Sequence, residues 1–287
     1  MDITISDKFG SKMSFDQNWR SRKESRYNHW VQGRPVNQIQ LAFRNHWELF
    51  SELLGHIEGG RCLEIGCGRG TISSYFVENG FDCVLLDFSK SVLDTARNIF
   101  DTNCHDAEFV NGDAVALPFK DNYFDAVVSI GLLEHFEDIK TPIAEQIRVL
   151  RQGGVFLGYI VPERKDNVQR YFHGINAMLN LFTLLLKSKG SEAVKRTGFR
   201  SDYCSHRYMD ALKGHAVKNI KVFGMYPLPM ISHSPDFPFS LLPHVLEFSL
   251  TRIFEFTLGI RRRLFNRNPW ICEESFGQAF LLTFKRK

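Results

Sequence analysis

The run Cys62-Leu63-Glu64-Ile65-Gly66-Cys67-Gly68-Arg69-Gly70 sends an apolar strand into a Gly-x-Gly-x-Gly turn. A second apolar stretch, Cys83-Val84-Leu85-Leu86, ends on Asp87, seventeen residues after Gly70. A turn without side chains lets backbone come close to a ligand, and a carboxylate at the next strand end accepts bonds from paired hydroxyls. Together they mark the carboxyl edge of a parallel sheet, where an adenosine-containing cofactor binds. A dinucleotide fingerprint would be Gly-x-Gly-x-x-Gly; here the third glycine comes one residue early and Thr71 follows. A phosphate loop would close on Gly-Lys-Ser/Thr, and no lysine stands there. Glu64, just before the turn, suits a cationic ligand and would repel a pyrophosphate.

The elements that position these residues follow from periodicity. Residues 1–18 are polar. From about Asn37 to Leu54 apolar residues recur at helical spacing, giving one amphipathic helix or two. A strand at about 61–65 leads to a helix from Thr71 to Glu78, stopped by Asn79-Gly80. Ser89 caps the next helix, whose apolar face is Val92, Leu93, Ala96, Ile99 and Phe100. Strands follow near 107–110 and 124–130. Thr141-Pro142 reads as N-cap and first helical residue of a helix ending before Gly153, ahead of a fifth strand, Val155 to Val161. Near-continuous apolar strands alternating with helices predict a parallel sheet covered on both faces.

Beyond Pro162 the pattern loosens. A helical apolar segment covers about Ile175 to Leu186, a sixth strand Lys218 to Phe223, and a last strand Phe276 to Phe284. The intervening 227–275 is too long for a hairpin loop. It opens on Pro227, Pro229, Pro235 and Pro238, then becomes a helix from about Leu241 to Leu258. Three regions result: a helical cap over 1–55, a cofactor-binding core over 56–162, and 163–287, holding the rest of the core and helical lid inserts at about 163–215 and 227–275.

Four stretches carry a family resemblance in order. Leu63 to Gly70 resembles the first motif of the class I S-adenosylmethionine-dependent methyltransferases. Leu86-Asp87-Phe88-Ser89 resembles the second, whose acid binds ribose hydroxyls. Asn111-Gly112-Asp113-Ala114, with Leu117-Pro118-Phe119, is similar to the third, where the Asp faces the adenine. Phe124 to Ile130, leading into Leu132-Leu133-Glu134-His135-Phe136, is similar to the fourth. The match covers about 60–161. It implies an α/β, Rossmann-like fold: a seven-stranded, mostly parallel sheet with helices on both faces and an antiparallel last strand. It also implies S-adenosyl-L-methionine as methyl donor, with S-adenosyl-L-homocysteine as product. The residues implied to hold the donor are Glu64, Gly66, Cys67, Gly68, Gly70, Asp87, Phe88, Gly112, Asp113, Ala114, Ile130 and Gly131. No metal is implied.

Methyl transfer is an in-line displacement, so alignment and exclusion of water are the enzyme's main tasks. An oxygen or carbon acceptor must also lose a proton, and histidine suits that work. His135, directly after the fourth strand, is the candidate base; it could instead order the loop. Glu134 is its catalytic neighbour. Ser129-Ile130-Gly131 with Glu134-His135-Phe136 is similar to the cyclopropane-fatty-acid synthases, whose Glu helps hold bicarbonate. Tyr27 and His29 could close over the site or lie on a helix surface.

Composition bounds the rest. The 287 residues suffice for a large core, and 44% hydrophobic with 24% charged residues is ordinary for a globular chain. Met1-Asp2-Ile3-Thr4 opens no apolar leader, no window reaches a membrane span, and the six cysteines show no Cys-x-x-Cys spacing. A cytoplasmic protein with reduced thiols is expected. A net charge of +4 is mild, and the basic clusters (Arg20, Arg22, Lys23, Arg26; Lys187, Lys189, Lys195, Arg196; Arg261 to Arg263) read as solvated surface, not a nucleic-acid face. The insert helices (Leu179 to Leu186, and Phe248 to Leu258) either pack on the core or offer an apolar face to a lipophilic acceptor or a membrane, with Arg261 to Arg263 at anionic head groups. The sequence therefore predicts a methyltransferase for an oxygen or carbon of a small molecule, a lipophilic acceptor being one of the options the insert helices leave open. The alternatives are a non-catalytic cofactor-binding module and a cyclopropane-synthase-like lipid-modifying enzyme. Against the module, Glu64, Gly66, Gly68, Asp87 and Asp113 are all in place.

Overall fold

A computed structural model describes residues 29–164, 166–186, 199–231 and 242–287. Tyr27, residues 1–28 of the expected cap, the basic residues between 187 and 196, and Pro235, Pro238 and Leu241 lie outside the described residues.

Alternating β and α segments build one eight-stranded sheet in the order β3-β2-β1-β4-β5-β8-β6-β7. Its strands are β1 (Gly60–Ile65), β2 (Phe81–Asp87), β3 (Glu108–Asn111), β4 (Phe124–Ile130), β5 (Leu150–Ile160), β6 (Val217–Met225), β7 (Ile271–Cys272) and β8 (Ala279–Arg286). β1 to β5 pair in parallel, and β8 runs antiparallel between β5 and β6. The eighth strand is a departure from the seven expected. Ile271 and Cys272 pair with Met225 and Gly224, a two-residue ladder too short to leave a pattern in the sequence.

The helices are α1 (Gln38–Leu54), α2 (Thr71–Glu78), α3 (Lys90–Thr102), α4 (Lys140–Val149), α5 (His173–Leu186), α6 (Ser205–Ala211) and α7 (His244–Phe265). Side chains alternate across each strand, so each sheet face feeds its own core. Cys62, Leu85, Val128 and Leu157 join Phe50 of α1, Phe76 of α2 and Phe100 of α3. Leu63, Val84, Val127 and Phe156 join Ile143 and Ile147 of α4 and Tyr208 of α6.

Three boundaries shift from expectation for local reasons. α4 begins at Lys140 with Ile139 as its N-cap, not at Thr141-Pro142. Asp138 supplies the capping oxygens, accepting from Lys140 N at 3.0 Å and from the Thr141 hydroxyl at 2.6 Å. β5 starts at Leu150, directly after α4, and takes in Gly153-Gly154. α7 runs to Phe265, about two turns beyond Leu258, with Asn266 in the left-handed conformation closing it.

Candidate functional site

Between β1 and β4 the direction of strand succession reverses, and this switch point opens a crevice at the carboxyl edge. The glycine turn sits at its centre. The Gly66 and Cys67 amides donate to the Leu86 carbonyl at 2.8 and 3.1 Å, tying the turn to β2. Gly66, Gly68 and Gly70 all have positive φ (66°, 54° and 66°), a conformation that favours glycine. Gly70 has a further reason to lack a side chain. A Cβ there would stand 2.5 Å from Leu85 and 2.6 Å from Phe100, so the turn is seated directly on β2 and α3.

Glu64 lies beneath the turn, fully buried. Its Oε2 accepts from the Ser73 hydroxyl at 2.5 Å and the Ser73 amide at 3.2 Å. Burial raises its pKa to about 8, against the lowering effect of the Ser73 bonds and reinforced by the Asp87 charge. Glu64 therefore holds the first turn of α2 in place behind the glycines.

Asp87 ends β2 with its carboxylate across the turn. Oδ2 accepts from Gly68 N at 3.4 Å and Oδ1 from Ser89 N at 3.0 Å. Asn111 Nδ2 bridges the carbonyls of Asp87 and Phe88 at 3.0 and 2.8 Å, and Gly112 N donates to Asp87 O at 3.1 Å. Asp113 starts the next turn, accepting from Val115 N at 3.3 Å, with Ala114 buried beside it. The ends of β1, β2 and β3 are thus bonded into one continuous rim, which places Gly66 to Gly70, Asp87, Phe88, Gly112, Asp113 and Ala114 together.

The end of β4 forms the other wall. Gly131 (φ 66°) donates to the Tyr159 carbonyl at 2.9 Å, and a single 3-10 turn over Leu133–His135 follows Ile130 and Gly131. Glu134 is fully buried, and neither carboxylate oxygen has a hydrogen-bond partner. Burial pushes its pKa up to about 7, while Arg200 and the amides of Glu134 and Val161 pull it down without a bond of good geometry. The ring Nδ1 of His135 lies 2.7 Å from the Phe199 carbonyl oxygen. A carbonyl only accepts, so Nδ1 carries the proton and Nε2 is the basic nitrogen of the neutral ring. Burial lowers the His135 pKa, the Phe199 bond raises it, and Arg200 lowers it further. Ser201 N donates to Glu134 O at 2.8 Å, so residues 199–201 brace the Glu134-His135 turn from both sides.

Residues distant in sequence complete the site, and sequence reasoning passed over them. Ser73 stands just after the first motif, whereas Asn111 opens the third motif itself. Phe199, Arg200 and Ser201 reach His135 from 64 or more positions away, with no local signal. His29 is buried, not on a helix surface: it stacks on Phe43 with ring centroids 6.3 Å apart. Its pKa falls to about 3 through burial first and the Arg69 charge second, which puts the N-terminal segment beside the glycine turn.

The rim presents glycine backbone together with the carboxylates of Asp87 and Asp113, and the far wall adds the unpartnered carboxylate of Glu134. That set fits a ligand bearing hydroxyls and a positive charge, as S-adenosyl-L-methionine does, and does not fit a pyrophosphate.

Residues 63–158 match the family model described as a methyltransferase domain. Over 118 residues the chain is 39% identical to a demethylmenaquinone methyltransferase of Renibacterium salmoninarum, covering 40% of this chain and 48% of that one. Over 178 residues it is 30% identical to the sterol 24-C-methyltransferase erg6 of Aspergillus fumigatus, covering 59% and 46%. Over 129 residues it is 37% identical to a fatty-acid O-methyltransferase of Mycolicibacterium smegmatis, covering 44% and 46%. The chain spans about half the length of these curated relatives. Among solved structures, the YcgJ protein of Bacillus subtilis (TM-score 0.53, 18% identity, 85% of this chain and 99% of that one) shares the fold. So does the PH0226 protein of Pyrococcus horikoshii (TM-score 0.53, 16% identity, 94% and 99%).

Proposed function

We propose that residues 63–158, which match a methyltransferase-domain family model, form a class I S-adenosylmethionine-dependent methyltransferase domain, and that the protein methylates an oxygen or carbon of a lipophilic small molecule. The observation that carries this reading is the neutral His135, whose Nδ1–H is fixed on the Phe199 carbonyl so that Nε2 is the proton acceptor. A bound S-adenosyl-L-methionine supplies the electrophilic methyl group and leaves as S-adenosyl-L-homocysteine.

The chain's own residues bind, orient and deprotonate. Asp87 would hold the ribose hydroxyls and Asp113 the adenine, and Gly66, Gly68 and Gly70 would let backbone lie against the donor. Glu64 orders this turn through Ser73 and does not itself face the ligand. His135 Nε2 takes the acceptor's proton as the methyl group moves. Glu134, with a pKa near neutrality, is a second group able to hold a proton beside it. Within the N-terminal region to 55 and the segments 163–215 and 227–275, the described residues are read as a lid that excludes water and selects the acceptor.

The lipophilic class is supported by the apolar exposure of α5 and α7, and by relatives named for demethylmenaquinone, sterol and fatty-acid substrates. The same exposure supports contact with a membrane surface. No described helix is long and apolar enough to cross a membrane. All six cysteines are free thiols, which supports a cytoplasmic location.

The test is incubation with methyl-labelled donor and an extract of the source cells, split afterwards into organic and aqueous phases. Label in the organic phase is expected. Label confined to the aqueous phase would overturn the lipophilic acceptor, and saturable donor binding with no S-adenosyl-L-homocysteine formed would make the protein a binding module.

A further inference from the structure

Helix α7 is buried on one face and exposes an apolar stripe on the opposite one. Its buried side is Glu247, Thr251, Phe254 and Leu258, anchored where Glu247 accepts from Gln38 N at 3.0 Å and from Gln38 Nε2 at 2.7 Å. At about 100° per residue, the opposite side carries Val245, Leu246, Ile253, Phe256, Ile260 and Leu264. All six are exposed, Phe256 at 71% and Leu264 at 72%. The outward side of a helix on a globular protein is normally polar, and an apolar stripe running the helix's length marks an interaction surface.

The charges around the stripe select what it meets. Arg263 shares the angular position of Val245, within the stripe, and the Arg252 guanidinium lies over the Phe248 ring, 4.7 Å from its centroid, at the stripe's edge. Past the helix end, Arg261, Arg267, Cys272, Glu273 and Phe276 line a cavity of about 260 Å³, two guanidiniums against one carboxylate. Both guanidiniums pack on Phe265, itself 53% exposed.

We propose that α7 docks the protein on an anionic lipid bilayer, its stripe entering the boundary between head groups and acyl chains and Arg263 and Arg267 meeting lipid phosphates. A second copy of the chain is the weaker occupant: packing on the stripe would strip water from Arg263 without a counter-charge, whereas in a bilayer its side chain reaches up to a phosphate. α5 carries a second exposed apolar row. Tyr171, just before it, and Ile175, Met178 and Leu181 within it are exposed at helical spacing. The two helices flank one loop, since Asn176 Nδ2 donates to Met230 O while Gln38 binds both Ile231 and Glu247. The inference rests on the lipophilic-acceptor reading for its purpose, but vesicle binding is measured without turnover.

The test is cosedimentation with vesicles of phosphatidylcholine alone and of equimolar phosphatidylcholine and phosphatidylglycerol, beside a sedimentation measurement of oligomeric state. The wild type is expected to pellet with the anionic vesicles, to be released by high salt, and to bind neutral vesicles weakly. Phe256→Glu with Ile260→Glu should weaken binding about tenfold or more, by removing apolar insertion. Arg263→Glu with Arg267→Glu should weaken it about thirtyfold or more on anionic vesicles only, from roughly 1 kcal/mol per cation near the surface. Donor binding by each variant confirms that it folds. No pelleting with anionic vesicles, equal pelleting with neutral ones, or a wild-type dimer that Phe256→Glu dissociates would each overturn the proposal. Vesicle binding without methyl transfer overturns only the acceptor reading, and methyl transfer without vesicle binding overturns only this one.

Discussion

Ser73 gives both its hydroxyl and its amide to one carboxyl oxygen of Glu64, joining the strand before the glycine turn to the helix after it. Because burial raises the folded-state pKa of Glu64 to about 8, the folded protein holds a proton there that the unfolded chain releases near its ordinary value. The sign is the reverse of a salt-bridged acid: this group's contribution is fully present at low pH and is lost as pH rises from about 4.5 to about 8. Glu64→Gln mimics the protonated acid. Its stability relative to wild type should therefore increase with pH across that window, read from urea melts at several pH values. A constant difference would show that Glu64 is charged throughout.

Asp87 has two duties. Its carboxylate holds the Gly68 and Ser89 amides, and the ribose assignment asks it to accept donor hydroxyls as well. Asp87→Ala should remove one or two charge-assisted bonds, each about 1.5–3 kcal/mol, from donor affinity measured by calorimetry. Asp87→Asn keeps an acceptor oxygen for Ser89 and should lose less. Unchanged affinity in both variants would move the ribose elsewhere.

Those two residues also show what was legible in the sequence. Glu64 and Asp87 stand at the ends of apolar strands whose period and bounding glycines are local signals, so β1, β2, α2 and α3 fall almost where periodicity puts them. Their roles were less legible. Glu64 faces Ser73, a partner that only the folded turn brings near. The Thr141-Pro142 signal was outweighed by Asp138, whose capping oxygens come from outside the helix. The Phe199 bond to His135 and the burial of His29 join distant segments, and nothing in local composition announces such contacts.

Gly70 is the turn position least able to accept a side chain. Gly70→Ala combines a left-handed backbone, about 1–2 kcal/mol, with a Cβ driven into Leu85 and Phe100, about 1–3 kcal/mol more. Gly131, with only Glu134 Oε1 near its added Cβ at 3.6 Å, should bear the backbone penalty alone. Thermal melts of the two alanine variants should therefore differ, with Gly70→Ala the lower. Equal melting temperatures would mean that β2 and α3 yield to the new methyl group without loss.

His135 separates base catalysis from loop ordering. Its pKa lies below the ordinary histidine value because it is buried, so the ring is neutral and basic at physiological pH. As a base it should give a kcat/KM that rises with pH through a pKa below about 6.5 and then stays level. Stability has the same sign: the unfolded histidine binds protons more readily, so this group's contribution is present above about 6.5 and is lost as pH falls through the folded value. His135→Ala should lower turnover about 100-fold or more while leaving donor affinity near wild type, and should abolish the acid limb of the rate profile. His135→Asn retains a short donor toward the Phe199 carbonyl without a basic nitrogen. If the imidazole only orders the loop, His135→Asn should restore much of the rate lost in His135→Ala. If Nε2 takes the proton, the two variants should be equally slow.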